Sequence, residues 1–154
     1  MPEKATKKRA QKAKRQGKSG STQAGEYVRE EIHHVRKGKH GARSTKQAIA
    51  IGLSKARRAG VKTSKPSKRT TSASTRKKAA RDSAKGRSGS KRSPSKARSR
   101  ATSRALKREG RSAASHKSLS RQAKSAAKRR TKADRSRAAK KAARTRAKKK
   151  AKKG

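Results

Sequence analysis

The sequence has no cysteine, and its one aromatic residue is Tyr27. Without cysteine the chain can form neither a disulfide framework nor a thiolate zinc site. Apolar residues larger than alanine are also few, and there are eleven of them: Met1, Tyr27, Val28, Ile32, Val35, Ile49, Ile51, Leu53, Val61, Leu106 and Leu119. So few large side chains cannot offset the entropy of ordering 154 residues. We therefore expect a protein that is not an enzyme and that is largely disordered.

Long apolar runs are absent as well. No stretch of about 18 apolar residues exists, so we expect no transmembrane helix and no membrane partner. Residues 1–20 lack the apolar segment of a secretory signal, and they contain no Leu, Ile or Phe that could form the apolar face of a transit peptide. These absences together predict a cytoplasmic protein.

Basic residues dominate what is present. The chain has 54 Lys and Arg against 7 Asp and Glu, which gives a net charge of +47. Its composition divides it into a disordered basic arm (1–20), a helix-loop-helix domain (21–61), a disordered linker rich in Ser, Thr, Lys and Arg (62–100), and a basic Ala-rich tail with helix potential (101–154). The predicted fold class is mostly disordered, with a small all-α helical hairpin over about 22–61 and a tail that becomes helical when bound.

The first helix of the hairpin is predicted from apolar spacing. Three apolar residues recur at i, i+4 and i+7: Val28, Ile32 and Val35. The pattern predicts a helix over 24–37, with Ser21 or Thr22 as its N-cap and Gly38 at its end.

The second helix is predicted from its end signals. Ser44 and Gln47 have the spacing of a capping box, and the helix that they open extends to about residue 59. Gly60 then occupies the position of a left-handed C-terminal residue, and Val61 can fold back onto the last turn.

The second helix has an apolar arc of about 200° at 100° per residue, which is wider than one neighbouring helix covers. The arc contains Ile49, Leu53, Ala56, Gly52, Ala48, Ala59 and Ile51. Gly52 would allow another backbone to approach closely. We predict a second partner for this face, with a homodimer through residues 45–59 as the simplest form. The alternative is an Ala-rich helix that leaves small residues in water.

Side chains that could support catalysis or bind a metal are few. The four histidines lie in charged stretches, and no Ser/His/Asp arrangement has a dry pocket. Glu30 and His34, at i and i+4, could share a metal ion with His40, but we expect solvated side chains and an ion pair there. No metal site and no cofactor are predicted.

The basic charge therefore provides the functional signal. Lys and Arg that contact phosphates release condensed counterions, which produces affinity without any readout of base sequence. A single aromatic residue leaves almost no stacking, so duplex DNA is favoured over single strands. The turn Ser93-Pro94, flanked by Arg92, Lys96 and Arg98, resembles the minor-groove turns of linker-histone tails.

A family resemblance covers residues 26–61, EYVREEIHHVRKGKHGARSTKQAIAIGLSKARRAGV. This stretch resembles a domain of unknown function found in small, very basic bacterial proteins, and GKHGARSTKQAIAIGLSKARRAGV accounts for most of the likeness. The resemblance implies a bacterial setting and no particular activity. The tails are similar in composition to those of linker histones and bacterial histone-like proteins.

These patterns predict a histone-like, nucleoid-associated protein that binds DNA without sequence specificity and neutralises, bridges or compacts it. The predicted phosphate contacts are Lys7, Lys8, Arg9, Arg57, Arg58, Arg76, Lys77, Lys78, Arg92, Lys96, Arg98, Lys128, Arg129, Arg130, Lys148, Lys149 and Lys150. The predicted helix-packing or self-association residues are Val28, Ile32, Val35, Ile49, Gly52, Leu53 and Ala56. Two alternatives remain: an RNA- or ribosome-associated protein, and a protein–protein interaction module with basic tethering tails.

Overall fold

The computed structural model describes residues 2–68, 71–89 and 95–151, and the side chains of these residues except 148–150. Within these ranges the chain is all-helical, with seven α-helices and no strand: α1 (Lys4–Arg15), α2 (Gly20–Arg36), α3 (Thr45–Arg58), α4 (Ala73–Arg87), α5 (Lys96–Arg108), α6 (His116–Lys128) and α7 (Lys132–Ala151). A 3₁₀ turn, Ser112–Ala114, lies between α5 and α6. The chain divides into two compact units, Met1–Ser115 and His116–Gly154.

Helix α2 begins earlier than the apolar spacing predicted. The hydroxyl of Ser19 is its N-cap and accepts a hydrogen bond from the backbone N–H of Thr22 at 3.4 Å. The predicted cap at Ser21 or Thr22 is therefore wrong. The predicted end is confirmed, because Gly38 follows the helix with a φ of +73°, a conformation that favours glycine.

Helix α3 has the ends that its sequence predicted. The hydroxyl of Ser44 accepts a hydrogen bond from the N–H of Gln47 at 3.2 Å. The Gln47 side chain reaches back to accept from the N–H of Arg43 at 2.7 Å. At the other end, Gly60 has a φ of +81°, and the N–H of Val61 donates back to a carbonyl in the last turn at 3.1 Å. Both the cap and the Schellman ending are confirmed.

Helices α2 and α3 approach each other closely at Gly52. A Cβ atom at Gly52 would lie 2.6 Å from the Cα of Val28 and 3.0 Å from the carbonyl oxygen of Tyr27. Ala48 and Ala56, one turn to either side of Gly52, are completely buried. The close backbone approach that the sequence predicted at Gly52 is thus made by α2 of the same chain.

Helix α1 packs on α2 and completes a small core. Ala10 of α1 meets Ala24 and Tyr27 of α2 and Ala56 of α3, and Leu53 packs against this cluster. All four cluster residues are at most 5% exposed. The segment predicted to be a disordered arm therefore supplies one wall of the core.

Helix α4 packs on α3 through a buried carboxylate. Asp82 accepts a hydrogen bond from the Ser54 hydroxyl and another from Nε of Arg58, both at 2.7 Å. Ala79, one turn before Asp82, is 3% exposed. Helix α3 thus contacts α2, α4 and the 3₁₀ turn within one chain, and Ser54 and Arg58, which contact α4, lie outside its apolar arc.

Residues 106–114 dock on the end of α2 and the loop that follows it. The N–H of Gly41 donates to the carbonyl of Leu106 at 2.8 Å. Nε of Arg36 donates to the carbonyl of Ala114 at 2.7 Å. These long-range bonds fix the loop between α2 and α3.

The second unit contains α6 and α7. A capping box opens α7, because the N–H of Asp134 donates to the Thr131 hydroxyl at 3.1 Å and Oδ2 of Asp134 accepts from the N–H of Thr131 at 3.4 Å. With α5, these helices cover most of residues 101–151. None of the described helices has both the length and the hydropathy that crossing a membrane requires.

The expectation of a mostly disordered chain with a lone hairpin is wrong over the described residues. Helix α1 lies in the predicted arm (1–20), and α4 and the start of α5 lie in the predicted linker (62–100). The reason is alanine. Nine of the twelve buried apolar residues are alanines, which the count of larger side chains did not include. Small residues let helices pack closely and bury their backbones.

Candidate nucleic-acid interface

The acidic residues lie mainly at contacts between helices. Glu30 and Glu31 of α2 are 4% and 1% exposed, and Asp82 of α4 is 8% exposed. Glu3 and Glu26 each pair with a basic side chain across the α1–α2 contact region. Three of the seven acidic groups are therefore buried and two more are paired with basic side chains, so they offset little of the charge on the outer surface.

Some basic side chains are neutralised by carboxylates. In the part of the chain that the structure describes, ion pairs with carboxylates involve Arg9, Lys39, Lys55, Arg58 and Arg137. The sequence contains 54 basic residues. The exposed faces of the helices are consequently cationic in both units.

The predicted basic cluster on α1 is exposed. Lys7, Lys8 and Arg9 lie in consecutive positions on the helix surface. Nε of Arg9 donates to Oε2 of Glu26 at 2.8 Å, so its charge is shared with a carboxylate of α2. Lys7 and Lys8 are therefore the two residues of this cluster best placed for phosphate contacts.

The predicted residues on α3 and α4 differ in their surroundings. Arg57 is half-buried and donates to a threonine hydroxyl at 3.1 Å, whereas Arg58 pairs with the buried carboxylate of α4 at 2.7 Å. Arg76 is half-buried and donates to a backbone carbonyl at 2.6 Å. Lys77 and Lys78 are exposed. Arg58 thus connects α3 to α4, Arg57 and Arg76 make bonds to residues nearby in the sequence, and the lysines face outward.

The remaining predicted contacts follow α4 in the sequence. Five are exposed: Lys96 and Arg98 on α5, and Lys128, Arg129 and Arg130 at the end of α6 and just after it. Lys148, Lys149 and Lys150 belong to α7, and their side chains lie outside the described part. Arg92 and the Ser93-Pro94 turn also lie outside the described residues.

The structure brings together three lysines that the sequence analysis did not group. Lys7, Lys14 and Lys62 line an open groove of about 580 Å³ between α1, α2 and the end of α3. Ala10 and Tyr27 also line this groove. The i, i+7 spacing of Lys7 and Lys14 could have indicated a shared helix face, but Lys62 joins them through tertiary packing.

Tyr27 is the one aromatic residue, and it belongs to the core. Its side chain is 3% exposed in the cluster shared by α1, α2 and α3. Burial, and then the negative charge of Glu30, raises the pKa of Tyr27. The ring is therefore a neutral core side chain that is not available for stacking on bases.

The predicted packing residues divide into two groups by burial. Four are buried: Ile32, Val35, Gly52 and Ala56. Three are half-buried: Val28, Ile49 and Leu53. Gly52 packs against α2, and Ala56 belongs to the cluster formed by α1, α2 and α3, whereas self-association through residues 45–59 stays a prediction.

A cluster of titratable side chains lies where α1, α2 and the α2–α3 loop meet. Glu30, Glu31 and His34 come from α2, Glu3 is the N-cap residue of α1, and His40 comes from the loop. Nε2 of His34 lies 2.8 Å from Oε1 of Glu3 and 3.9 Å from Oε1 of Glu30. We call these five residues the Glu–His cluster.

Two lysines border the Glu–His cluster. Lys39 donates to Oε1 of Glu3 at 2.9 Å, and Lys55 pairs with Oε2 of Glu31. The hydrogen bonds from Lys39 and then from His34 lower the pKa of Glu3 to about 2. The expectation that His34 is solvated is wrong, because its residue is 9% exposed. Sequence reasoning could not see that this charged face of α2 turns toward α1.

Comparisons with known proteins supply no relative. No protein-family model matches the chain, and neither the curated proteins nor the solved structures contain a significant match. The resemblance of residues 26–61 to a bacterial domain of unknown function stays a prediction.

Proposed function

We propose that this protein is a histone-like, nucleoid-associated protein of the bacterial cytoplasm that binds DNA without sequence specificity. The observation that carries the proposal is the placement of charge. The fold uses most of its few carboxylates between helices, and the outer faces of its helices are left strongly basic. Such a surface attracts a polyanion wherever it is approached.

The free energy of binding would come mainly from counterion release. Each phosphate that a Lys or Arg neutralises frees condensed cations, and this effect needs no contact with base edges. Helix α7 shows the principle most simply. It spans about 30 Å at 1.5 Å per residue, and it contains ten basic residues and a single acid, Asp134.

Duplex DNA is favoured over single strands because the surface offers no aromatic side chain. Proteins that bind single strands stack bases on exposed rings. The only ring of this kind, Tyr27, is buried in the core. Contacts to the phosphate backbone then remain as the principal means of binding.

Bridging and compaction follow from the presence of two cationic units in one chain. Helices of the first unit and helices of the second each present basic side chains, so one molecule could neutralise phosphates on two duplexes. This would hold DNA segments together without a dedicated dimer interface.

The binding experiment uses fluorescence anisotropy with the full chain. We expect two DNA duplexes of equal length and scrambled sequence to bind with free energies within about 1 kcal/mol, less than a tenfold difference in Kd. A strong preference for one sequence would contradict non-specific binding. An RNA duplex of the same length that binds more than tenfold tighter than DNA would instead support the RNA-associated alternative.

A pair of variants on α7 tests the role of charge. Replacing Lys140 and Lys141 by glutamine should weaken DNA binding at low salt. The slope of log K against log salt should also become shallower by about 1 for each phosphate that is no longer neutralised. Replacing the same two residues by arginine is the matched control and should leave both quantities nearly unchanged. Equal behaviour of the two variants would remove α7 from the interface.

A further inference from the structure

The Glu–His cluster contains three side chains whose metal-ligating atoms lie close together. One carboxylate oxygen of Glu31 and one ring nitrogen each of His34 and His40 all lie within 4.8 Å of one another. Glu31 and His34 are three residues apart on α2, so they share one face of the helix. His40 reaches the same point from the loop that docks under residues 106–114.

Glu31 has a buried oxygen that lacks a hydrogen-bond donor. The residue is 1% exposed, and within the described part of the chain its Oε1 is the one buried side-chain polar atom without a hydrogen bond. Burying an unsatisfied carboxylate oxygen is costly. Nε2 of His40 lies 3.0 Å from this oxygen.

The hydrogen bond on the other side of the His40 ring orients the ring. Nδ1 of His40 lies 2.9 Å from the carbonyl oxygen of Gly41, which can only accept, so Nδ1 carries a proton and acts as the donor. Nε2 is then the ring atom that faces Oε1 of Glu31, and an unprotonated Nε2 beside a carboxylate oxygen is a pair of ligand atoms for a metal ion.

We propose that Glu31, His34 and His40 bind a divalent transition-metal ion, and Zn²⁺ best fits this donor set. Two imidazoles and one carboxylate match the ligands of zinc and its neighbours rather than the all-oxygen sets of Mg²⁺ or Ca²⁺. Zinc bonds of 2.0–2.2 Å place tetrahedral ligand atoms about 3.4 Å apart. The 3.0 Å contact between Glu31 and His40 is already near that spacing.

The surrounding contacts resemble the outer shell of a metal site. Histidine ligands usually donate their second ring N–H to a carbonyl or carboxylate, which fixes the ring. His40 does so to Gly41, and His34 contacts the Glu3 carboxylate at 2.8 Å. Oε2 of Glu31 is held by Lys55, which leaves Oε1 for the ion.

The bound ion would connect α2 to the α2–α3 loop and thereby stabilise the first unit. This proposal replaces the sequence-based expectation of no metal site. The sequence had paired Glu30 with His34 and His40, but in the structure it is Glu31 whose oxygen faces His40. The site is independent of DNA binding, so either proposal can fail without the other.

The test measures Zn²⁺ binding to the untagged full chain by competition with a chromophoric chelator. We expect saturation at one ion per chain and a rise in melting temperature that EDTA reverses. His40→Asn should weaken binding at least about tenfold, the scale on which even outer-shell changes act. His33→Asn, which alters the exposed neighbour of His34, is the matched control and should bind Zn²⁺ like the parent chain.

A second measurement needs no variant and decides the matter if His40→Asn does not fold. In NMR spectra of the unchanged chain, Zn²⁺ should shift the ring signals of His34 and His40 and leave those of His33 and His116 in place. Absence of saturable binding would show that the cluster is only an ion-pair network. Zinc binding that moves His33 or His116 instead, or that persists in a folded His40→Asn variant, would also overturn the proposal.

Discussion

The contact between α2 and α3 makes a sharp prediction for Gly52. A methyl group there would place its carbon 2.6 Å from the Cα of Val28, 3.0 Å from the carbonyl oxygen of Tyr27 and 3.0 Å from Cγ2 of Val28. Two of these three neighbours are backbone atoms, which cannot rotate away. The Gly52→Ala variant must therefore push the two helices apart.

The size of the effect is the difference between two opposing terms. Overpacking of a core costs about 1–3 kcal/mol, and a clash with backbone belongs at the upper end. Alanine gains about 1 kcal/mol over glycine inside a helix. We expect Gly52→Ala to lower the free energy of unfolding by about 2 kcal/mol, or the melting temperature by about 4–8 °C for a chain of this size.

Gly25 provides the matched control. It lies within α2, and a Cβ at this position would meet nothing within 4 Å. Gly25→Ala should therefore gain only the higher helix propensity of alanine, without any clash, and should raise the free energy of unfolding by about 1 kcal/mol. Thermal melts followed by circular dichroism measure both variants. If Gly52→Ala is as stable as Gly25→Ala, the close packing of α2 on α3 is wrong.

Three further predictions concern the first unit. The pKa of Glu3 falls from 4.5 to about 2 on folding, so the ionised carboxylate stabilises the fold fully above pH 4.5, and this stabilisation is lost as the pH falls through 2. The melting temperature of Glu3→Gln should therefore depend less on pH between 4.5 and 2 than that of the parent chain. An equal pH dependence of the two proteins would contradict this. Asp82→Ala removes the acceptor of two α3 side chains and should cost about 2 kcal/mol in urea unfolding, whereas a neutral change would refute the α3–α4 contact. A homodimer through residues 45–59 predicts concentration-dependent sedimentation that Ile49→Ser with Leu53→Ser abolishes, and a folded, concentration-independent parent monomer would exclude it.

Local sequence signals predicted the ends of α3 and the end of α2 well. The capping box at Ser44 and the glycines at 38 and 60 act through bonds within a few residues, so spacing alone reveals them. The N-cap of α4, where the hydroxyl of Ser72 accepts a hydrogen bond from the N–H of Thr75 at 3.3 Å, was not predicted, because the composition of residues 62–100 indicates a disordered linker. Composition overstated disorder where alanine, rather than leucine or valine, forms the core.

Tertiary contacts of the site could not be predicted. The Glu3 carboxylate meets His34 across 31 residues of sequence, and no periodicity connects them. Lys62 joins Lys7 in one groove only because α1 packs beside the end of α3. The strongly basic character of the surface, in contrast, follows from composition, so it could be predicted from the sequence alone.

The salt dependence of duplex DNA binding tests the central claim most directly. The full chain should be titrated with one DNA duplex at several salt concentrations, and log K plotted against log salt. If the cationic surface neutralises ten phosphates, the slope should be about −9, because each neutralised phosphate contributes about −0.9. A slope shallower than about −3 would show that binding does not come from the exposed Lys and Arg side chains, and would contradict the proposed function.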